Sequence, residues 1–267
     1  MLNRDVRYGQ GADSDSLSLW VGRFKPDPRD RLRLFCFPYA GGSAQIYFDW
    51  RDPLAEIVDV LPVQLPGRGS RLSEVPFNNI TLLVEAISQA IIPHLDKPFA
   101  FFGHSMGALL SFELARSLRR NGRPTPVHLF VSGCSAPHVR SADGPVHQLP
   151  DESLIEKLRT LNGTSSDVLE SNELIKILLP SLRADFEICE TYHYTPEPKF
   201  DFPVTVLAGL EDKECPLPEM EAWKELTDNE YSVHLFPGDH FFLHPCMSMV
   251  MKIIARKMQS FHGNRSK

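Results

Sequence analysis

The stretch Pro98-Phe99-Ala100-Phe101-Phe102-Gly103-His104-Ser105-Met106-Gly107 constrains this chain more than any other. Its apolar run is too short for a helix and reads as a buried strand, while beyond Gly107 the apolar residues Leu109, Phe112 and Ala115 recur at helical spacing. Strand and helix are therefore joined through Gly-x-Ser-x-Gly, the pattern of a nucleophile elbow. In so tight a turn Gly103 and Gly107 leave room for backbone where a Cβ would collide. The Ser105 hydroxyl is then presented at the N-terminus of the new helix. Taken alone, the five-residue pattern arises often by chance as a structural turn. The strand before it and the helix after it favour a reactive serine.

The rest of the chain supplies a domain in which such a turn can sit. At 267 residues, with 42% hydrophobic and 23% charged residues, it is long enough for one α/β domain with a large core. A net charge of −6 argues against nucleic acid as the main partner. No run approaches the length of a membrane span, and the N-terminus lacks the apolar centre of a signal peptide, so a cytoplasmic location is expected. Five scattered cysteines (Cys36, Cys134, Cys189, Cys215 and Cys246) have no metal-ligand pairing and read as reduced, mostly core residues. No metal site or cofactor is expected.

Residues 1–28 are polar and aperiodic and are expected to form a flexible leader, with Leu17, Leu19, Trp20 and Phe24 as points where it could dock. Residues 29–262 form a single domain and residues 263–267 a polar tail. Strands are expected at 31–37, 58–65, 99–104, 127–131, 203–208 and 231–236. Helices intervene at about 44–56, 80–95, 106–121 and 217–226. This alternation implies a mostly parallel central sheet with helices on both faces and a ligand site at the carboxyl ends of the strands. Between about 136 and 200 the rhythm changes. Three helical patterns, bounded by Gly163, Pro180 and Pro196-Glu197-Pro198, replace the strands, and the segment reads as a lid over that site. Its apolar positions (Leu154, Leu158, Leu169, Leu174, Ile177, Leu178, Phe186 and Ile188) either line an acyl channel or pack the lid helices together. Arg68 and Arg71, in the loop Pro66–Arg71, are expected to anchor that loop to a carboxylate rather than to hold an anionic ligand. Arg116, Arg119, Arg120 and Arg123, near the end of the helix after the elbow, suit its dipole, and an acidic partner would meet them as well.

A serine nucleophile in acyl transfer needs two donors aimed at the oxyanion. One is the N–H of Met106, after the nucleophile; the other is assigned to Ala40, in the loop Pro38-Tyr39-Ala40-Gly41-Gly42-Ser43, which by itself would be read as a plain turn. An acid beyond a strand end must orient the imidazole. Asp212 fits best, following the strand at 203–208. Glu211 and Glu214 also read as solvated loop residues, and Asp143 is a weaker rival. Ten histidines compete for the role of base. The chain order serine, acid, histidine leaves His234, His240, His244 and His262. His234 lies within a strand, His244 just inside the last helix and His262 in the tail; His240 occupies a Pro-Gly loop between strand and helix and is the candidate.

Phe37–Ser43, Leu65-Pro66-Gly67-Arg68, Phe102–Gly107, Leu182-Arg183-Ala184-Asp185-Phe186, Tyr192-His193-Tyr194 and Gly238-Asp239-His240-Phe241 together resemble the type II thioesterases. These discrete hydrolases accompany nonribosomal peptide and polyketide synthases, and the vertebrate medium-chain fatty-acid-synthase thioesterases are their relatives. The resemblance spans about 32–255. It implies the α/β-hydrolase fold, Ser105, Asp212 and His240 as triad, and Ala40 and Met106 as oxyanion donors. It also implies a monomer that hydrolyses acyl groups from the phosphopantetheine arm of acyl or peptidyl carrier proteins, clearing stalled or misprimed synthases. The alternatives are a medium-chain fatty acyl-carrier or acyl-CoA thioesterase, a general carboxylesterase and, last, a noncatalytic binding module. Triad chemistry itself does not select thioester over ester.

Overall fold

The computed structural model describes residues 19–21, 32–139, 144–164 and 166–265. Six strands, β1 (Leu32–Phe37), β2 (Val58–Pro62), β3 (Phe99–His104), β4 (Leu129–Ser132), β5 (Val204–Gly209) and β6 (Tyr231–Phe236), form one sheet in the order β2-β1-β3-β4-β5-β6, every neighbouring pair parallel. Side chains of a strand point alternately to the two faces, and this sheet is apolar on both. Phe35, Phe37, Phe99, Phe101, Leu129, Val131, Val204 and Val206 enter one core, and Leu34, Cys36, Ala100, Phe102, Phe130 and Leu207 enter the other. Strands buried on both faces need helices on both faces.

The first face is covered by α2 (Ile80–Ile91) and α3 (Met106–Arg120). They pack on each other, and α3 packs on β3. Asn79 caps α2 by accepting a hydrogen bond from the Leu82 N–H. The other face is covered by α1 (Arg51–Leu54), the 3-10 turn Ala44–Trp50 before it, and α8 (Met247–Arg265). The helix expected at 44–56 is thus mostly 3-10, and the one expected at 217–226 divides into α7 (Leu217–Glu221) and a 3-10 turn, Ala222–Leu226. The chain switches direction across the sheet between β1 and β3, so the loops leaving these two adjacent strands lie side by side.

The lid between β4 and β5 holds α4 (Asp151–Leu161), α5 (Ser166–Glu170) and α6 (Asn172–Glu190). The break expected at Pro180 does not occur, because α6 runs through it. An interior proline costs about 3 kcal/mol. Against this, Ile175, Leu179 and Leu182 pack with Leu154 and Leu158 of α4, and Ile188 enters the main core. Each such burial contributes about 1.5–3 kcal/mol, so the continuous stripe outweighs the missing backbone hydrogen bond.

Two boundaries differ from the sequence expectation. Within the segment read as leader, Val21 is buried in the main core, the Gln64 N–H donates to the Trp20 carbonyl at 2.7 Å, and the Arg71 guanidinium lies 4.0 Å over the Trp20 ring. Leu17 and Phe24 lie outside the described residues. At the other end α8 continues to Arg265, so residues 263–265 are helical rather than a tail, and the helix starts at Met247, leaving His244 in the turn before it.

Candidate active site

The elbow stands where the β3 backbone turns into α3. A Cβ on Gly103 would lie 2.1 Å from the Gly107 carbonyl oxygen, and one on Gly107 would lie 2.1 Å from that of Phe37, so only glycine fits at either place. Between them Ser105 adopts φ 53° and ψ −119°, a strained conformation for a residue with a side chain. Its N–H donates to the Ser132 carbonyl of β4 at 2.8 Å, and its carbonyl accepts from the Ala108 N–H at 2.9 Å. The strained residue is clamped from the neighbouring strand and from its own helix.

Asp212 and His240 come from the loops after β5 and β6, which are neighbours in the sheet. His240 Nδ1 lies 2.9 Å from Asp212 Oδ2. The other oxygen, Oδ1, accepts from the N–H groups of Glu214 at 2.9 Å and Cys215 at 3.1 Å, so the loop's own backbone fixes the carboxylate. Burial opposes a charge on His240, but the hydrogen bond that Nδ1 donates to the Asp212 carboxylate, with the Cys215 sulfur nearby, outweighs it and raises the imidazole from its ordinary value of 6.5 to about 10. Ser105, His240, Ala40 and Met106 all line one cavity of about 380 Å³. Among the described residues, the N–H groups of Ala40 and Met106 donate to no protein acceptor, and both border that cavity. A nucleophile, an oriented base and two free donors around one space are the parts an acyl transfer requires.

The competing candidates go elsewhere. Glu214 faces Lys157 of the lid at 3.4 Å, and Glu211 accepts from the Gly238 N–H. His234 lies in β6, and His244 bonds the Tyr39 hydroxyl at 2.9 Å. Asp143 lies outside the described residues, as does the side chain of His262. Arg68 pairs with Asp185 and Arg71 with Glu74, the anchoring expected of them. Arg116, Arg119 and Arg120 converge on Glu197. The lid's apolar residues divide their roles: Leu158 and Phe186 line the cavity, Leu154 and Ile188 are buried in cores, and Leu174 and Ile177 are 46% and 47% exposed.

Two neighbours of the base escaped sequence reasoning. His104 is fully buried under the His240 ring, with centroids 5.2 Å apart, and its Nδ1 meets Ser132 Oγ at 2.8 Å. Burial, reinforced by the nearby charges of His240 and His244, holds it well below its ordinary pKa, so it is a neutral floor for the imidazole. Cys215 borders the cavity and donates to the Gly133 carbonyl at 3.4 Å; burial raises its thiol, and it stays protonated at neutral pH. His104 carries a signal, since it lies inside the elbow motif; Cys215 has none beyond its distance of three residues from Asp212.

Comparison with known proteins adds a lineage. Residues 32–258 match the thioesterase domain family. Gramicidin S biosynthesis protein GrsT of Aneurinibacillus migulanus is 45% identical over 240 residues, covering 90% of this chain and 94% of the relative. Thioesterase PikA5 of Streptomyces venezuelae is 39% identical, covering 84% of this chain and 80% of the relative. Among solved structures, the type II thioesterase BorB from the borrelidin biosynthetic cluster superposes with a TM-score of 0.83 at 38% identity, covering 90% of this chain and 98% of that one.

Proposed function

Because this chain belongs to the thioesterase family, we propose that it releases acyl groups from the phosphopantetheine arm of acyl or peptidyl carrier proteins, in the editing of a nonribosomal peptide or polyketide synthase. The relatives GrsT, PikA5 and BorB, each named for such a biosynthetic system or as a thioesterase, support the assignment of partner. The observation that carries the chemistry is the His240–Asp212 contact at 2.9 Å, made behind an imidazole that borders the same cavity as Ser105.

In this reading His240 Nε2 takes the Ser105 proton as Oγ attacks the thioester carbonyl. Asp212 keeps the proton on Nδ1 and stabilises the imidazolium. The oxyanion is received by the N–H groups of Met106 and Ala40, and Met106, as the first residue of α3, adds the positive end of the helix dipole. Collapse expels the pantetheine thiol, protonated by His240. Water activated by the same imidazole then hydrolyses the Ser105 ester and frees the acid. The acyl group arrives on its carrier, so these steps require neither cofactor nor metal. The protein works in this scheme as a cytoplasmic monomer, in keeping with its five free cysteines. Among the described residues, no helix is long and apolar enough to cross a membrane.

The test is to compare kcat/KM for one acyl group on a carrier protein, on CoA and on a simple ester, with Ser105→Ala as control. The carrier substrate is expected to lead, and Ser105→Ala to lose about 10⁴- to 10⁶-fold in kcat. Preference for CoA or the ester would assign the enzyme to general acyl-CoA or ester hydrolysis. Wild-type turnover in Ser105→Ala would end the serine mechanism.

A further inference from the structure

Asp185 stands in the second half of the lid helix α6 and is 1% exposed, yet among the described residues the hydrogen-bond partners of its carboxylate all lie outside the lid. It reaches instead to two loops at the strand ends. Arg68, 3% exposed, grips it with both terminal nitrogens, Nη2 donating to Oδ1 at 2.8 Å and Nη1 to Oδ2. The Gly41 N–H also donates to Oδ2, at 2.7 Å. Gly41, with φ +75°, lies so close under α6 that a Cβ there would come within 2.5 Å of Leu182 Cδ2. On the far side of the same loop, Gln64 Oε1 accepts from the Ala44 N–H at 3.2 Å, and its amide donates to the Arg68 carbonyl at 2.9 Å.

These bonds bracket Ala40. The peptide that carries the Ala40 N–H has its carbonyl, that of Tyr39, held by the Gly42 N–H at 2.9 Å. The next peptide has its N–H, that of Gly41, held by Asp185. Peptide groups are planar, with C=O and N–H pointing opposite ways. Fixing both planes fixes the direction of the Ala40 N–H, on a residue that borders the cavity beside Ser105. Resting on the acyl-transfer reading of Ser105, we propose that Asp185, steadied by Arg68, is the positioning residue of the oxyanion hole, aiming the Ala40 donor from the lid. Lid helix and oxyanion loop then form one unit, and the hole is complete only while α6 is seated.

A buried charge left alone destabilises a fold, so the decisive variant removes both, Arg68→Met with Asp185→Leu. The isosteric Asp185→Asn, which keeps an acceptor for Gly41 but gives up the charge facing Arg68, is made alongside, and folding is checked by thermal melting. Turnover of an acyl-carrier substrate and the rate of Ser105 labelling by a fluorophosphonate, whose phosphoryl oxygen occupies the oxyanion position, are measured together. Loss of one oxyanion donor outright costs about 10²- to 10³-fold in kcat. The expected result for a misaimed donor is a fall of about 10- to 100-fold in the double variant and a smaller one in Asp185→Asn. KM should stay within about threefold, labelling should slow in parallel, and the acid limb of kcat/KM should not move, because His240 and Asp212 are untouched. A folded double variant with wild-type kcat, or one in which only KM changes, overturns the proposal. Should the double variant fail to fold, wild-type kcat and labelling rate in Asp185→Asn do the same. Ser105→Ala in the same assay separates the two claims: if it is inactive while the Asp185 variants are normal, the acyl-transfer reading stands and the positioning role falls.

Discussion

Asp212→Asn tests the heart of the site without disturbing its shape. In the wild type, Oδ1 accepts two backbone N–H groups, from Glu214 and Cys215, and Oδ2 accepts from His240 Nδ1. An asparagine would keep its single oxygen on the two N–H groups, because turning it over would point two donors at two donors. Its NH₂ then faces Nδ1, which must become an acceptor, and the imidazole proton moves to Nε2. A ring with that tautomer cannot accept the Ser105 proton. Loss of the correct tautomer in serine hydrolases costs about 10³- to 10⁴-fold in kcat, or about 4–5.5 kcal/mol of transition-state stabilisation. KM should be little changed, since Asp212 does not border the cavity with the acyl-facing residues. The pH profile supplies a second readout. Asp212 raises the His240 pKa against the opposing effect of burial. Activity needs neutral His240, so it rises with pH through that pKa. Removing the carboxylate lowers the pKa and shifts the acid limb of the residual kcat/KM to lower pH. The assay is steady-state hydrolysis of an acyl-carrier thioester from about pH 5, below the ordinary histidine range, to above the wild-type His240 value of about 10. A variant within tenfold of wild-type kcat, or one whose acid limb stays in place, would refute this account of the carboxylate.

Two further substitutions probe the geometry. Gly107→Ala puts a methyl group 2.1 Å from the Phe37 carbonyl oxygen, forcing α3 away from β1; activity should fall with stability, by about 3 kcal/mol, read as a lower melting temperature, and unchanged melting would show that the elbow has slack. Phe186→Trp adds bulk to the cavity wall; kcat/KM for a long acyl chain should drop at least about tenfold relative to acetyl, since each methylene is worth about 1–3 kcal/mol in a fitted pocket, and an unchanged ratio would mean that the chain lies elsewhere.

The elbow was legible because everything that makes it is local. Two glycines, a serine, an apolar run and a helical period lie within a few residues, and steric collision at 2.1 Å makes the glycines obligatory. The parallel sheet was legible for a similar reason: strands buried on both faces are apolar throughout, and their spacing leaves room for crossover helices. Pro180 misled because its rule is local while its compensation is not; the stripe that carries α6 through it is buried by residues of α4 and the main core. The lid residues could not be sorted from their period, since a channel wall and a helix interface demand the same spacing, and only the packing separates Leu158 and Phe186 from Leu154 and Ile188.

From the order of residues alone come the reacting groups and their rim of the sheet, since chain order and strand ends limit which acid and which base can reach a serine at an elbow. Partnership across the fold is a different matter. Arg68 and Asp185 are 117 residues apart, and neither neighbourhood names the other. His104 beneath His240 and Cys215 beside it likewise owe their places to three strands converging. Short-range sterics and periodicity act within a few bonds and leave their mark in sequence; buried charge pairs and ring contacts are chosen by the closing of the whole chain, when each polar group withdrawn from water must find whatever partner the tertiary structure brings to it.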